Sequence, residues 1–489
     1  MFRTILLSLS LLGCQGSGKL VEDAGTEVSK DAADLSSADL APEDLPSALD
    51  GPGPDIIDPK SWAITAGGSV LDKGRAIASD GKGNLYVTGS FRNKATFGGH
   101  SLTAKGTTWS DIFLIKLDSA GKVLWARAAG GGGEDQGRDV AVDAQGNVIL
   151  VGYFTGPAAF GAKTLAGAGL WDVAVAKYAP DGTQLWATEA GGPASDEPQS
   201  VAVDKQGNVI VAGSYQQSAS FGPLKLSSAG SYDGFVAKLS PAGQPLWAHT
   251  VGGKGADYAH GVAVDSAGDI YVAGSFDWDA DFGSTQLSAA GGVYADIFVH
   301  KLDASGGDEW AVSAGGQKFD AADDIVVDAA GNLFITGNFW DVASFGPLSL
   351  TSVGGSDLYA ASLNPDGTFR WATPAGGPNG FLAQGIAVDA AGGAYVTGFF
   401  AGHAQFGSQG FNSKGLNDVF VAHFSPVGSR VSAVTAGGAG DDRAFDLVVD
   451  ADGYAAVTGW FSGTGHGYGQ SNISSGGADD CFVWKVLCP

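Results

Sequence analysis

Seven copies of one unit of about sixty residues fill this chain from Trp62 onward. The phrase Trp-Ala-x-x-Ala/Val-Gly-Gly opens at Trp62, Trp125, Trp186, Trp247, Trp310 and Trp371, with Ser432 in the seventh slot. Successive copies lie 63, 61, 61, 63, 61 and 61 residues apart. A fixed period of this length means stacked supersecondary units that bury their faces against one another. The phase adds a constraint. The array starts with the segment that ends a unit and stops at Pro489, where the next such segment falls due. That is the pattern of a closing ring, whereas an open solenoid needs capping units.

Each unit divides into four short strands. In the second, Asp139-Val140-Ala141-Val142-Asp143 is followed by the turn Ala144-Gln145-Gly146-Asn147, rich in residues that tolerate positive φ. Val148 to Phe154 is a continuous apolar run of strand length, which predicts a strand buried on both faces. A loop with Phe160-Gly161, a third strand Asp172 to Tyr178, the turn Pro180-Asp181-Gly182 and a fourth strand around Trp186 complete the unit. No segment combines helical periodicity with caps. The predicted fold is all-β: a seven-bladed β-propeller of four-stranded blades over residues 61–489. The strand Trp62 to Gly68 should pair with Cys481 to Val486 and complete the seventh blade. Glycine fits this plan, since most of the 78 occupy fixed repeat positions.

Gly252-Gly253, Asp257, Val262-Ala263-Val264-Asp265, Gly268-Asp269 and Ile270 to Gly274 form a run that resembles the SBBP repeat. That repeat is known as a seven-bladed propeller unit of bacterial surface and secreted proteins. The resemblance covers roughly residues 62–489 and implies the fold, while its consensus residues serve architecture and imply no activity. Two units depart from the pattern, with Phe381 where the others have Asp and Tyr468 where the others have Phe.

Residues 1–13 carry Arg3 and an apolar stretch from Ile5, too short to span a bilayer and typical of a secretory signal. Leu11-Leu12-Gly13-Cys14 resembles a lipobox, which implies cleavage before a lipid-bearing Cys14. Gln15 after that Cys implies, by resemblance to a bacterial sorting rule, the outer membrane or cell surface. Residues 14–60 hold eleven acidic side chains, three Lys and no aromatic. Such a segment buries too little to offset its ordering entropy and is predicted to be a disordered tether, with a reach of roughly 35–40 Å.

Of the formal charge of −25, −18 falls on residues 61–489. This excludes nucleic acid as a partner and favours a soluble, monomeric body. Cys481 and Cys488 can pair only if the chain turns back after Lys485, because seven residues of strand hold two thiols about 20 Å apart.

Asp72, Asp135, Asp196, Asp257, Asp320 and Asp442 recur five residues after the first Gly of each Gly-Gly pair. A feature repeated in six units builds the unit, by accepting backbone hydrogen bonds at a turn. Asp277, Asp279 and Asp281 alternate like the start of a calcium loop and are the candidate calcium ligands; no other cofactor is implied. Trp109, Trp171, Tyr232 and Tyr294, with Trp278, Trp340 and Phe400 after the second strands, are candidate ligand-binding aromatics for a polysaccharide or a surface protein. No nucleophile elbow, phosphate loop or paired Cys motif is present, so no catalytic residue is assigned. The sequence therefore predicts a lipid-anchored, non-catalytic binding scaffold. A propeller enzyme acting on polysaccharide and a purely structural envelope component are the alternatives.

Overall fold

The apolar runs between turn residues become strands in the computed structural model, which describes residues 60–429, 431–468 and 472–488. The signal segment, Cys14 and the tether up to Pro59 lie outside the described residues. Among the described residues there is no helix, and the named strands pair in antiparallel ladders. In repeat two, Gln136–Val142, Val148–Phe154, Asp172–Tyr178 and Gln184–Ala190 form a four-stranded sheet in that order. The middle two strands are buried along their whole length, as their unbroken apolar runs predict. The turn between the first two is fixed by Asp143, whose Oδ1 accepts the N–H groups of Gln145 and Asn147 at 2.9 and 2.8 Å. Equivalent aspartates do this in the other repeats, for example Asp80 and Asp328.

The Phe-Gly segment differs from its predicted loop form. Ala158–Phe160 and Lys163–Leu165 make a small hairpin whose first strand pairs with Val123–Gly131, the fourth strand of repeat one. Each hairpin with this pairing straps a repeat to its predecessor. The strap explains the second Gly of each Gly-Gly pair, because a Cβ on Gly131 would run into the carbonyl oxygen of Pro157. The fourth-strand Trp forms a second clasp to the next repeat. Trp125 donates from Nε1 to the Pro180 carbonyl at 3.1 Å, and Trp186 does the same to Pro241 at 3.0 Å. Where the phrase has Ser432 instead of Trp, Cys488 Sγ lies 3.8 Å from the Ser432 carbonyl oxygen.

The core lies between repeats. One cluster joins Tyr86, Leu114 and Trp125 of repeat one to Leu150, Phe154 and Tyr178 of repeat two. Another joins Val87, Phe113 and Leu117 of repeat one to Ala456 and Val483 of repeat seven, with Ala66 of the N-terminal strand. Trp62–Gly68 pairs with Asp480–Leu487 in the register Trp62↔Lys485 to Ala66↔Cys481, as predicted. Asp446 Oδ2 accepts the N–H of Ile77 at 2.8 Å across 369 residues. The same bond joins neighbouring repeats elsewhere, from Val201 to Asp139 and from Ile386 to Asp324. Cys481 and Cys488 are both buried free thiols, since the last strand runs straight through Lys485.

Candidate functional site

In six of the seven repeats two carboxylates meet at one end of the strands. Asp135 Oδ2 accepts the Gly131 N–H at 2.7 Å and its Oδ1 accepts the Thr155 N–H at 3.2 Å. Asp111, which opens the third strand, accepts the Lys105 N–H at 3.0 Å. Gly130 lies between them at φ +148°, and a Cβ there would collide with both carboxylates. The pattern recurs, with Asp196, Asp257, Asp320 and Asp442 accepting from Gly192, Gly253, Gly316 and Gly438 at 2.6–2.7 Å. In repeat six Phe381 fills the first slot, and Asp357 takes the Gly377 N–H itself at 3.1 Å. Burial pushes Asp72, Asp135, Asp196, Asp257, Asp320 and Asp442 up to about 7. The same cause raises Asp111, Asp296 and Asp418 to about 6. These pairs tie down loops and are closed to solvent.

The candidate aromatics separate into three groups. Trp109, Trp278 and Tyr294 are exposed at 45%, 55% and 46%. Trp171, Tyr232 and Trp340 are half-buried against Tyr153, Tyr258 and Phe319, with ring centroids 5.0, 5.4 and 5.5 Å apart. Phe400 is buried and stacks on Phe381 at 5.7 Å, so it is no surface ligand. The physical reason is register: Phe400 ends the second strand Ala394–Phe400, in the slot that Phe154 and Phe276 fill in their own repeats, rather than following it.

All seven repeats take a positive φ at one slot after the second strand: Trp278 at +62° matches Gly156, Gly402 and Gly463 at +66°, +68° and +74°, and Asn93, Gln217 and Asp341 at +52°, +59° and +61°. A bulky side chain in the left-handed region is an outlier that costs of order 1 kcal/mol. More than half the Trp278 surface is exposed, so little burial offsets that cost. Its N–H donates to the Gly292 carbonyl at 3.0 Å, which sets it beside the loop of Tyr294. Lys318 lies 5.6 Å from the Tyr294 ring centre, and Phe319, also exposed, meets Trp340 edge-on. Trp278, Tyr294, Phe319 and Trp340 thus gather on the loops of repeats four and five.

Asp279 and Asp281 project from the exposed face of the hairpin strand Asp279–Phe282, and Asp279 Oδ1 accepts the Ser288 hydroxyl at 2.6 Å. Asp277 precedes the strand and donates its N–H to Asp257 Oδ1 at 3.2 Å. Among the described residues no three His, Cys, Asp or Glu side chains gather closely enough to hold a metal ion.

Sequence reasoning missed a third feature. Every first strand carries a register shift one residue wide, at Arg75, Arg138, Gln199, His260, Asp323, Gln384 and Phe445. A bulge re-aims its side chain out of the pleat, and these seven line one cavity of about 290 Å³. The slot has the 63- and 61-residue spacing of the repeat but changes residue type at nearly every copy. Aligning the units on that slot would have found it. Arg138 lies 5.0 Å from the Tyr153 ring centre, and His260 stacks on Tyr258 at 5.8 Å. Contacts therefore run from Trp171 and Tyr232 on the loops to the cavity wall.

Repeated four-stranded sheets with architecture-bearing Asp and Gly define a β-propeller repeat protein. Residues 246–275 match the family model of the SBBP β-propeller repeat. The chain is similar to the uncharacterized WD repeat-containing protein L264 of Acanthamoeba polyphaga mimivirus, 23% identical over 349 residues, 56% of this chain and 24% of that protein. It is also similar to the regulatory protein FlaEY of Caulobacter vibrioides, 27% identical over 236 residues, 46% of this chain and 23% of that one. The chain therefore spans about a quarter of the length of either relative. Among solved structures, YCF48 bound to D1 peptide aligns over 89% of this chain and 97% of its own, at 7% identity and a TM-score of 0.40.

Proposed function

We propose that the seven repeats close into a single seven-bladed ring, which serves as a non-catalytic binding scaffold through the loops of one face. Closure is supported by the pairing of Trp62–Gly68 with Asp480–Leu487 and by the Asp446–Ile77 bond. The binding role rests on one observation: in a positive-φ slot filled by Gly, Asn, Gln or Asp in the other six repeats, Trp278 places a large indole that is 55% exposed. An aromatic that adds strain and gains little burial points to a partner outside the fold. The ligand would be a polysaccharide or a surface protein, either of which an exposed aromatic patch can engage.

The test begins with a glycan array and a panel of purified envelope proteins, probed with the wild-type chain. Trp278→Gly should then abolish or sharply weaken the captured ligand while leaving the melting temperature equal or slightly higher, since glycine relieves about 1 kcal/mol of strain. Retained binding, or a marked loss of stability, would refute the assignment. Turnover of a captured polysaccharide would favour the enzyme alternative.

The proposed location is the bacterial cell surface, reached through lipid on Cys14. A Cys14→Ser chain should leave the detergent phase in a phase-partition assay and keep its melting temperature. Unchanged partitioning would remove the lipid anchor from the proposal.

A further inference from the structure

The cavity reached by the first-strand bulges is lined by residues other than the candidate aromatics, and its polarity runs against the chain. On a body of formal charge −18, two guanidiniums from adjacent repeats, Arg75 and Arg138, face the same 290 Å³ space. Neighbouring cations are matched to carboxylates: Lys73 to Asp479 at 3.2 Å, Arg138 to Glu197 at 2.6 Å and Arg443 to Asp441 at 2.9 Å. Arg75 has no acceptor among the described residues and rests on the Phe445 ring, 4.3 Å from its centre. That platform fixes the plane of the guanidinium and leaves its N–H fork unoccupied. Arg138 spends one Nη on Glu197, and its buried Nε has no partner.

Two neighbouring charges in a confined space are costly without a counter-charge. Burial first, and Arg138 second, bring the Arg75 guanidinium down to about 9. The other titratable side chains of the wall do not supply the missing charge. Asp323 accepts from Asn338 Nδ2 at 2.8 Å and is pushed up to about 8 by burial. His260 is brought down to about 4, again by burial, and is neutral at pH 7.

We propose that this cavity binds a small oxyanion, a carboxylate or a phosphate, in the fork of Arg75, with the Arg138 guanidinium on the same wall adding a second positive charge. Guanidinium presents parallel N–H bonds that match either oxyanion, and Phe445 offers an apolar wall to any attached body. The volume admits a molecule of metabolite size and excludes a polymer.

Inorganic phosphate and benzoate serve as the two probes, each titrated into the full-length chain at constant ionic strength against chloride. Calorimetry and thermal melting read the result. Saturable binding with a rise in melting temperature is expected for at least one probe, and the probe that binds distinguishes a phosphate from a carboxylate ligand. Arg75→Met keeps an unbranched stem on Phe445 and should weaken that binding about ten- to a hundredfold. Arg138→Gln provides a second variant should Arg75→Met fold poorly, and Arg443→Met, whose guanidinium lies outside the cavity wall, should bind as wild type. No saturable binding of either probe, or equal affinity in wild type and both cavity variants, overturns the site.

Discussion

Deleting residues 1–68 is expected to lower the melting temperature by about 10 °C and to convert the monomer to aggregates, whereas deleting residues 1–58 should change neither. The longer deletion removes Trp62–Gly68 and strips Asp480–Leu487 of its outer partner. It removes Ala66 and the half-buried Trp62 and Ile64 from the cluster of Val87, Phe113, Leu117 and Val483, and with them the Trp62 Nε1 bond to the Ser119 carbonyl. Lost apolar burial and backbone pairing together are worth on the order of 5 kcal/mol, and each kcal/mol moves the midpoint by about 2 °C in a body this large. The bared edge holds Phe482 and Trp484 in an apolar strand, the kind of edge that recruits further strands. Differential scanning calorimetry and light scattering on the two truncations supply the comparison. Equal midpoints and equal monomer content would rule out closure through this strand.

Stability should rise as the pH is lowered from 8 to about 5, by roughly 5 °C or more, and fall again below about 4. The first limb comes from the carboxylate pairs. Six first-slot aspartates are raised by burial to about 7, so the folded state binds protons that the unfolded chain releases near its ordinary value of 3.8. A raised group stabilises fully below the unfolded value, and its contribution is lost as the pH climbs through the folded one. The neighbouring carboxylate adds to the effect of burial, as Asp111 does for Asp135 and Asp172 for Asp196. The second limb comes from the turn aspartates. Asp80, Asp143, Asp204 and Asp450 are lowered by their Asn, backbone and Lys partners, so their contribution is present above 3.8 and disappears as the pH falls below it. The check is a series of melts between pH 3.5 and 8.5 at constant ionic strength. A midpoint that is flat or rising from pH 5 to 8 would show that the pairs are not protonated in the folded state.

The strands of the repeat were legible because their physics is local: a buried strand needs a continuous apolar run, and Val148 to Phe154 supplies one. The pairing of Trp62–Gly68 with Asp480–Leu487 was legible from the phase of the repeat. The outer hairpin was not, since Ala158–Phe160 is three residues long and its pairing partner, Val123–Gly131, belongs to another repeat. Phe400 was misjudged by one position, enough in a strand of period two to exchange a buried side chain for an exposed one. Trp109, Trp278 and Tyr294 were named from sequence and are exposed, but the positive φ at Trp278 needed backbone coordinates. The cavity wall was invisible for a different reason. Arg75 and Arg138 resemble ordinary polar residues of half-buried strands, and only the bulge turns them inward.

The pairing of Trp62–Gly68 with Asp480–Leu487 also orders events during synthesis. Strand two of each repeat can find strand three within about twenty residues, so sheets form while the chain is still growing. The seam forms later, because its two halves are separated by more than four hundred residues and the second emerges long after the first. Until then Trp62–Gly68 is paired only at Gly67 and Gly68, with the nearby strand Lys94–Phe97, and the penalty for bringing the two halves together grows only slowly with the intervening length. Docking of units already folded along the chain shortens that search further. A ribosome stalled before Asp480–Leu487 emerges would hold an apolar edge open for the whole interval, which makes that interval the period of greatest aggregation risk.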